Sequence, residues 1–217
     1  MVMYYYGYPD MGQGSNSYYH PYYGTISEDF SQQTYDWASM SDVINSGSKE
    51  AISTLMYHCG VAVDMYYTPT GSSAFSEDAA FAFQHYFDYR GTISVEYKHG
   101  YNIEDWRTLL NEELIEGHPV YYSGSGSSGG HAFVCDGYSD TLYHFNWGWG
   151  GYNNGYFQLD NLNPGGADFS FSQSAIIGVV PENAAYCMNS RTFSDTARTF
   201  TDGSDASYYW NNTDCSW

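Results

Sequence analysis

Two neighbouring stretches decide how this chain folds: Gly129-Gly-His-Ala-Phe-Val-Cys-Asp-Gly137 and Tyr143-His-Phe-Asn-Trp-Gly-Trp-Gly-Gly151. Each is a short apolar run bounded by glycines, and only a few turn-forming residues separate them. That pattern predicts two antiparallel strands joined as a hairpin. A histidine after two glycines, at the start of a strand, leaves room for a substrate backbone to pass beside it. Asn146 closes the second strand, so the hairpin would bring His131 and Asn146 together. An asparagine carbonyl accepting from one imidazole nitrogen would fix the ring's tautomer and leave the other nitrogen for a nucleophile. Trp147 would cover that bond and exclude water from it.

Working outward, strand-like runs continue on both sides at 119–122, 155–159 and 174–180, split by Gly, Asn, Asp and Ser clusters. Before Gly117 the period changes to helical. Asn102 is placed to cap a helix carrying Trp106, Leu109, Leu110 and Leu114 on one face, with Gly117 ending it. Ser76 is placed to start a second helix running through Phe83 to Phe87. Ser48 is placed to cap another, with Ala51, Ile52, Leu55, Met56 and Cys59 at helical spacing and Gly60 closing it. The stretch Thr68-Pro-Thr-Gly-Ser-Ser-Ala reads as a turn-rich loop, and residues 10–34 as a long surface loop. Helices first and strands later make an α+β domain whose halves would flank a cleft. After Pro181 the apolar rhythm stops. Residues 1–181 form the expected domain, and 182–217 a polar linker or the start of a further module.

Bulk composition narrows the function classes. Aromatics are 20% of the 217 residues, including 25 Tyr and 12 Phe, which argues for a packed body rather than a disordered chain. The net charge of −19, with only six basic residues, leaves no basic stripe for a nucleic-acid backbone. No apolar run reaches the ~20 residues of a membrane span. Four cysteines (59, 135, 187 and 215) show no CxxC or CxxH spacing, so no metal site and no cofactor are expected. Cys59 and Cys135 read as buried thiols, and Cys187 and Cys215 could pair in an oxidising compartment. The remaining histidines (20, 58, 85, 99, 118 and 144) read as structural, His144 pointing along a strand face rather than toward His131.

Gly130-His-Ala-Phe133 with Phe145-Asn-Trp-Gly-Trp-Gly-Gly151 resembles the histidine and asparagine-tryptophan segments of the streptopain family of papain-like bacterial cysteine peptidases. Leu55–Tyr67, Pro119–Gly124, Gly155–Pro164 and Gln173–Pro181 resemble other segments of that family, so the likeness extends over about residues 1–181. The resemblance implies a papain-like fold with a helical half, an antiparallel β half and a cleft between them. It implies peptide-bond hydrolysis by a Cys–His pair, with His131 as general base, Asn146 orienting it and Trp147 shielding both. It aligns Ser72, Ser73 and Gly130 with the lining of the substrate cleft. The partner would be a protein or peptide substrate met by a secreted or cell-surface bacterial monomer. The opening Met-Val-Met-Tyr-Tyr-Tyr resembles the segment that follows the family's nucleophilic cysteine, so the cysteine is expected upstream of Met1 and this chain by itself is expected to be inactive. A peptide-binding pseudoenzyme and an extracellular adhesion or structural domain are the alternatives. Cys135, four residues along a strand from His131, would sit about 13 Å away at ~3.3 Å per residue, too far for a thiolate–imidazolium pair.

Overall fold

The computed structural model describes residues 1–42, 44–127 and 129–182. The expected tail and its cysteine pair lie outside the described residues. The described chain forms two compact units, one of residues 1–6 and 94–179, the other of residues 7–93 and 180–182.

The first unit holds a six-stranded antiparallel sheet. Its strands, in the numbering of the whole chain, are β5 (Ser94–Tyr97), β6 (Val120–Gly126), β7 (Gly129–Ser139), β8 (Leu142–Asn146), β9 (Gly155–Phe157) and β10 (Phe171–Ile177), in spatial order β5-β10-β6-β7-β8-β9. Burial alternates along β6 and β8, so one face carries Val120, Tyr122, Tyr143 and Phe145. Tyr122 stands opposite Phe133, and Phe145 opposite Cys135, so large inward residues are paired across the ladder. Helix α4 (Ile103–Ile115) packs on β6 and β7. Its Trp106, Leu110 and Leu114 are at most 1% exposed, and burial of each such side chain stabilises the fold by about 1.5–3 kcal/mol. Its start follows the expected signal: the Asn102 side chain accepts from the Glu104 and Asp105 amides, and Gly117 beyond its end takes a positive φ of 81°. Three buried polar side chains are linked in series. Trp106 Nε1 donates to the Tyr122 hydroxyl (3.0 Å), which donates to Gln173 Oε1 (2.6 Å), and Gln173 Nε2 donates to the Leu159 carbonyl (2.7 Å). The short helix α1 (Val2–Tyr6) belongs to the same unit, with Val2, Met3 and Tyr5 buried and the Tyr5 hydroxyl on the Gly117 carbonyl.

The second unit corrects several expectations. Residues 10–34 are not a loop: they contain the hairpin β1 (Ser15–His20) and β2 (Gly24–Asp29), turned by three residues and closed by Gly24 at φ 72°. Alternation is present, but the inward face is Asn16, Tyr18 and His20. Their polar atoms bond the Val61 carbonyl, the Met65 carbonyl and the Tyr67 amide, so no apolar period marks the strand. The turn-rich stretch after it is a second small hairpin, β3 (Tyr66–Thr68) with β4 (Gly71–Ser73).

Helix α2 (Lys49–Ala62) runs past Gly60, and Ser48 makes no side-chain cap. Its buried residues are His58, Gly60, Val61 and Ala62, whereas Met56 is 65% exposed, so the expected apolar face is not the one that packs. Gly60 serves a close approach instead of a stop, since a Cβ there would run into the Tyr67 hydroxyl. Helix α3 (Ser76–His85) begins one residue after Phe75, whose amide meets the Asp78 carboxylate. The core of this unit gathers Phe30, Tyr35, Trp37, Met40, Val61, Phe83 and Phe87.

Candidate active site

His131 is the third residue of β7 and stands opposite Gly124 of β6. Gly124 and Gly126 let the segment that leads into β10 lie against β6, because a Cβ at either position would collide with the carbonyl of Phe169 or Asp168. Phe169 is thereby carried to within 5.3 Å, ring to ring, of the imidazole. On β8 the strand ends at Asn146, and the chain turns through Gly148, whose φ of 76° suits glycine.

The imidazole bond expected for the Asn146 side chain is made elsewhere. His131 Nε2 lies 2.8 Å from the main-chain carbonyl of Trp147. A carbonyl only accepts, so Nε2 carries the proton, and in the neutral ring Nδ1 is the basic nitrogen. Asn146 acts one bond further back: its Oδ1 accepts from the Gly148 amide at 3.0 Å. The Trp147 carbonyl and the Gly148 N–H are the two ends of one peptide group. Asn146 and His131 therefore grip the same rigid plane from opposite sides, and each bond polarises the other. Trp147 is pinned further by its amide on Asn154 Oδ1 (3.0 Å) and its Nε1 on the Asn153 carbonyl (2.9 Å).

The shielding role expected of Trp147 also moves. Its indole is fully buried against Phe133 and Phe157, at centroid separations of 4.4 and 5.2 Å. The ring stacked on His131 is Trp149, at 5.2 Å and 21° between planes. Trp149 is 37% exposed, so it covers the imidazole from the solvent side. Trp149, Phe169, Asn153 and Asn154 are the site residues that sequence reading missed. The Trp-Gly-Trp spacing held the only signal, and nothing in it distinguishes which indole goes inward.

The other assigned positions divide between the units. Gly130 precedes His131 on β7 and pairs with Ser125. Ser72 and Ser73 are exposed on β4 of the second unit. Burial raises the thiols of both described cysteines: Cys135, fully buried on β7, well above its ordinary value, and Cys59 to about 11. At neutral pH neither provides an appreciable fraction of thiolate. His144 Nδ1 lies 2.5 Å from Asp136 Oδ1.

The family model described as the peptidase C10 family matches residues 1–157. The chain belongs to this family. Streptopain of Streptococcus pyogenes is 36% identical to this C10 chain over 199 residues, covering 83% of the chain and 50% of the relative. The thiol protease/hemagglutinin PrtT of Porphyromonas gingivalis is equally identical over 83% of the chain but only 22% of its own length. The chain thus spans about half the length of streptopain and far less of PrtT. Among solved structures, active wild-type interpain A cysteine protease of Prevotella intermedia superposes with a TM-score of 0.74 at 39% identity, over 82% of this chain and 79% of that one. The likeness fixes the fold class as α+β and papain-like.

Proposed function

We propose that this C10 chain is the greater part of a cysteine endopeptidase domain in which His131 exchanges the proton of a nucleophilic cysteine. The observation that carries the reading is the chain of bonds from Asn146 through the Trp147–Gly148 peptide to His131 Nε2. It holds the imidazole in the tautomer that presents Nδ1, as a thiol base must. In acylation the thiolate sulfur attacks the substrate carbonyl carbon, and the peptide C–N bond breaks as the imidazolium gives its proton to the leaving amine. In deacylation His131 takes a proton from water, whose oxygen displaces the thiolate. Trp149 and Phe169 would limit water around the ring during both steps.

Cys135 does not supply the sulfur, being fully buried with its thiol raised. By the family resemblance the nucleophile lies upstream of Met1, and residues 1–217 alone are proposed to be inactive. The substrate is proposed to be a protein or peptide, with Gly130, beside His131 on β7, along its path. The host is proposed to be a bacterium that places the enzyme, as a monomer, outside the cell or at its surface. Among the described residues no helix is long and apolar enough to cross a membrane.

The test is hydrolysis of denatured casein by residues 1–217 and by a form extended upstream to include the cysteine expected before Met1. The extended form should cleave in a thiol-dependent manner. His131→Ala should cost it at least about 10³-fold, within the range for loss of a general acid–base group. Cys135→Ser should retain most activity. Cleavage by residues 1–217 that Cys135→Ser abolishes would overturn the assignment.

A further inference from the structure

Away from His131, the second unit holds a cavity of about 470 Å³ between the end of β2, the turn that follows it and one face of α2. Glu28, Gln32 and Gln33 line one side, and Ser53, Thr54, Tyr57 and His58 the other. The helical contributors recur four apart, 53 with 57 and 54 with 58, so one face of α2 supplies them all.

The donors of this lining are largely spent within the protein. Gln32 Nε2 bonds Asp29 Oδ2 and Ser31 Oγ, and Gln33 Nε2 bonds the Thr34 carbonyl. The Ser53 hydroxyl donates to the Glu50 carbonyl, and the Tyr57 hydroxyl to the Ser27 carbonyl. What remains is mostly acceptors: the two Gln amide oxygens, the hydroxyl lone pairs and the Glu28 carboxylate, whose Oε1 also accepts from the Asp29 amide at 3.2 Å. His58, whose side chain is 5% exposed, forms the floor. Its Nδ1 is 2.9 Å from the Tyr35 hydroxyl, while its Nε2 points toward Glu28 Oε2 at 4.0 Å, beyond hydrogen-bond reach. Desolvation holds the His58 pKa below its ordinary value, so at neutral pH the ring leaves the Glu28 charge uncancelled. Lys49 and Arg90, the basic residues of this unit, do not line the cavity. No group of three metal-ligating side chains occurs among the described residues, which argues against a metal ion as occupant.

An acceptor-lined cavity with one unneutralised carboxylate fits a ligand rich in N–H donors and positively charged. We infer that this cavity is a docking site for a basic side chain, an arginine above all, presented by a polypeptide that the protein binds. A guanidinium has five donors in a planar fork and can meet the Glu28 carboxylate and the Gln32 and Gln33 oxygens together. A neutral sugar would bring acceptors that find few donors here. The site is independent of catalysis and needs no nucleophile.

The test is a titration of ¹⁵N-labelled residues 1–217 with acetyl-Gly-Arg-Gly-amide, followed by amide shifts. Saturable shifts confined to residues 28–33 and 53–58 are expected. The citrulline peptide, of the same shape without the charge, should bind about tenfold more weakly or worse. Glu28→Gln should weaken arginine binding similarly while amide positions elsewhere stay unchanged. As a second variant, Thr54→Arg should fill the cavity with its own guanidinium and block the peptide. Equal binding of the two peptides, binding that survives Glu28→Gln or Thr54→Arg, shifts outside this region, or no saturable shift would each overturn the proposal, as would tighter binding of a neutral sugar.

Discussion

The β7–β8 hairpin and the β1–β2 hairpin are built on the same backbone pattern and stabilised by different chemistry. Inward residues of the first are Phe133, Cys135, Tyr143 and Phe145, none more than 1% exposed. Inward residues of the second are Asn16, Tyr18 and His20, bonded to the main chain of the last turn of α2 (Val61) and of the segment that follows it (Met65 and Tyr67). Burial of carbon stabilises the first roughly in proportion to area, without regard to direction. The second depends on bonds that each contribute little net but cost more when one partner is removed. The chemistry-bearing residues of the candidate active site sit on the first kind of support. The inferred docking cavity sits on the second.

The sharpest contrast should come from Trp147. Its indole lies in the aromatic cluster and its main chain holds His131, so Trp147→Ala removes a large buried side chain and loosens the carbonyl. A loss of about 3–5 kcal/mol in denaturant unfolding is expected, with activity of the extended form lost as well. Trp147→Phe keeps most of the carbon and should cost clearly less, the remaining deficit reflecting the Nε1 bond to Asn153. If the two variants are equally damaging, packing is not what holds this region.

Asn146 is the polar element of that same support. Asn146→Ala leaves the Gly148 amide without its acceptor and frees the peptide plane that orients His131. In the extended enzyme kcat/KM should fall about 10- to 100-fold, or about 1.4–2.8 kcal/mol, with KM little changed. Asn146→Asp keeps an oxygen facing the amide and should recover much of the loss. A direct bond from the Asn146 side chain to the ring would predict otherwise, because a carboxylate there would stabilise the imidazolium and shift the alkaline limb of the pH profile upward.

Legibility in the sequence followed the same division. Helix α4 was readable to the residue, because its cap, its apolar face and its terminal glycine all agree with the packing. The paired strands around His131 were legible as elements but not in their ends: the apolar run marks 131–136, and β7 extends over Gly129–Ser139. The β1–β2 hairpin was not, since an inward face of Asn, Tyr and His has no hydrophobic period to detect. Helix α2 misled for the opposite reason: Met56 and Leu55 look like core, yet its buried surface is His58 and the small residues near its end. At the site, His131, Asn146 and Trp147 meet through bonds other than the ones expected. Side-chain types reveal which groups are present, but a main-chain carbonyl acceptor has no signature in sequence, and the two indoles of Trp147 and Trp149 are interchangeable until the strand end is located.

The smallest expected effects test whether the β1–β2 hairpin has the register described. Tyr18 and Tyr19 are adjacent and chemically identical, yet they face opposite ways. Tyr18 donates to the Met65 carbonyl, and its phenol is pushed up to about 12 chiefly by burial, so it remains a donor throughout the working pH range. Tyr18→Phe removes that donor and should destabilise the chain by about 1 kcal/mol. Tyr19 is 75% exposed, and Tyr19→Ser should change stability by less than about 0.5 kcal/mol, as for most surface substitutions. A shift of one residue in the hairpin would exchange the two faces and reverse the order. Paired urea titrations of the two variants decide it: a larger loss for Tyr19→Ser than for Tyr18→Phe would mean that the inward face is not Asn16, Tyr18 and His20.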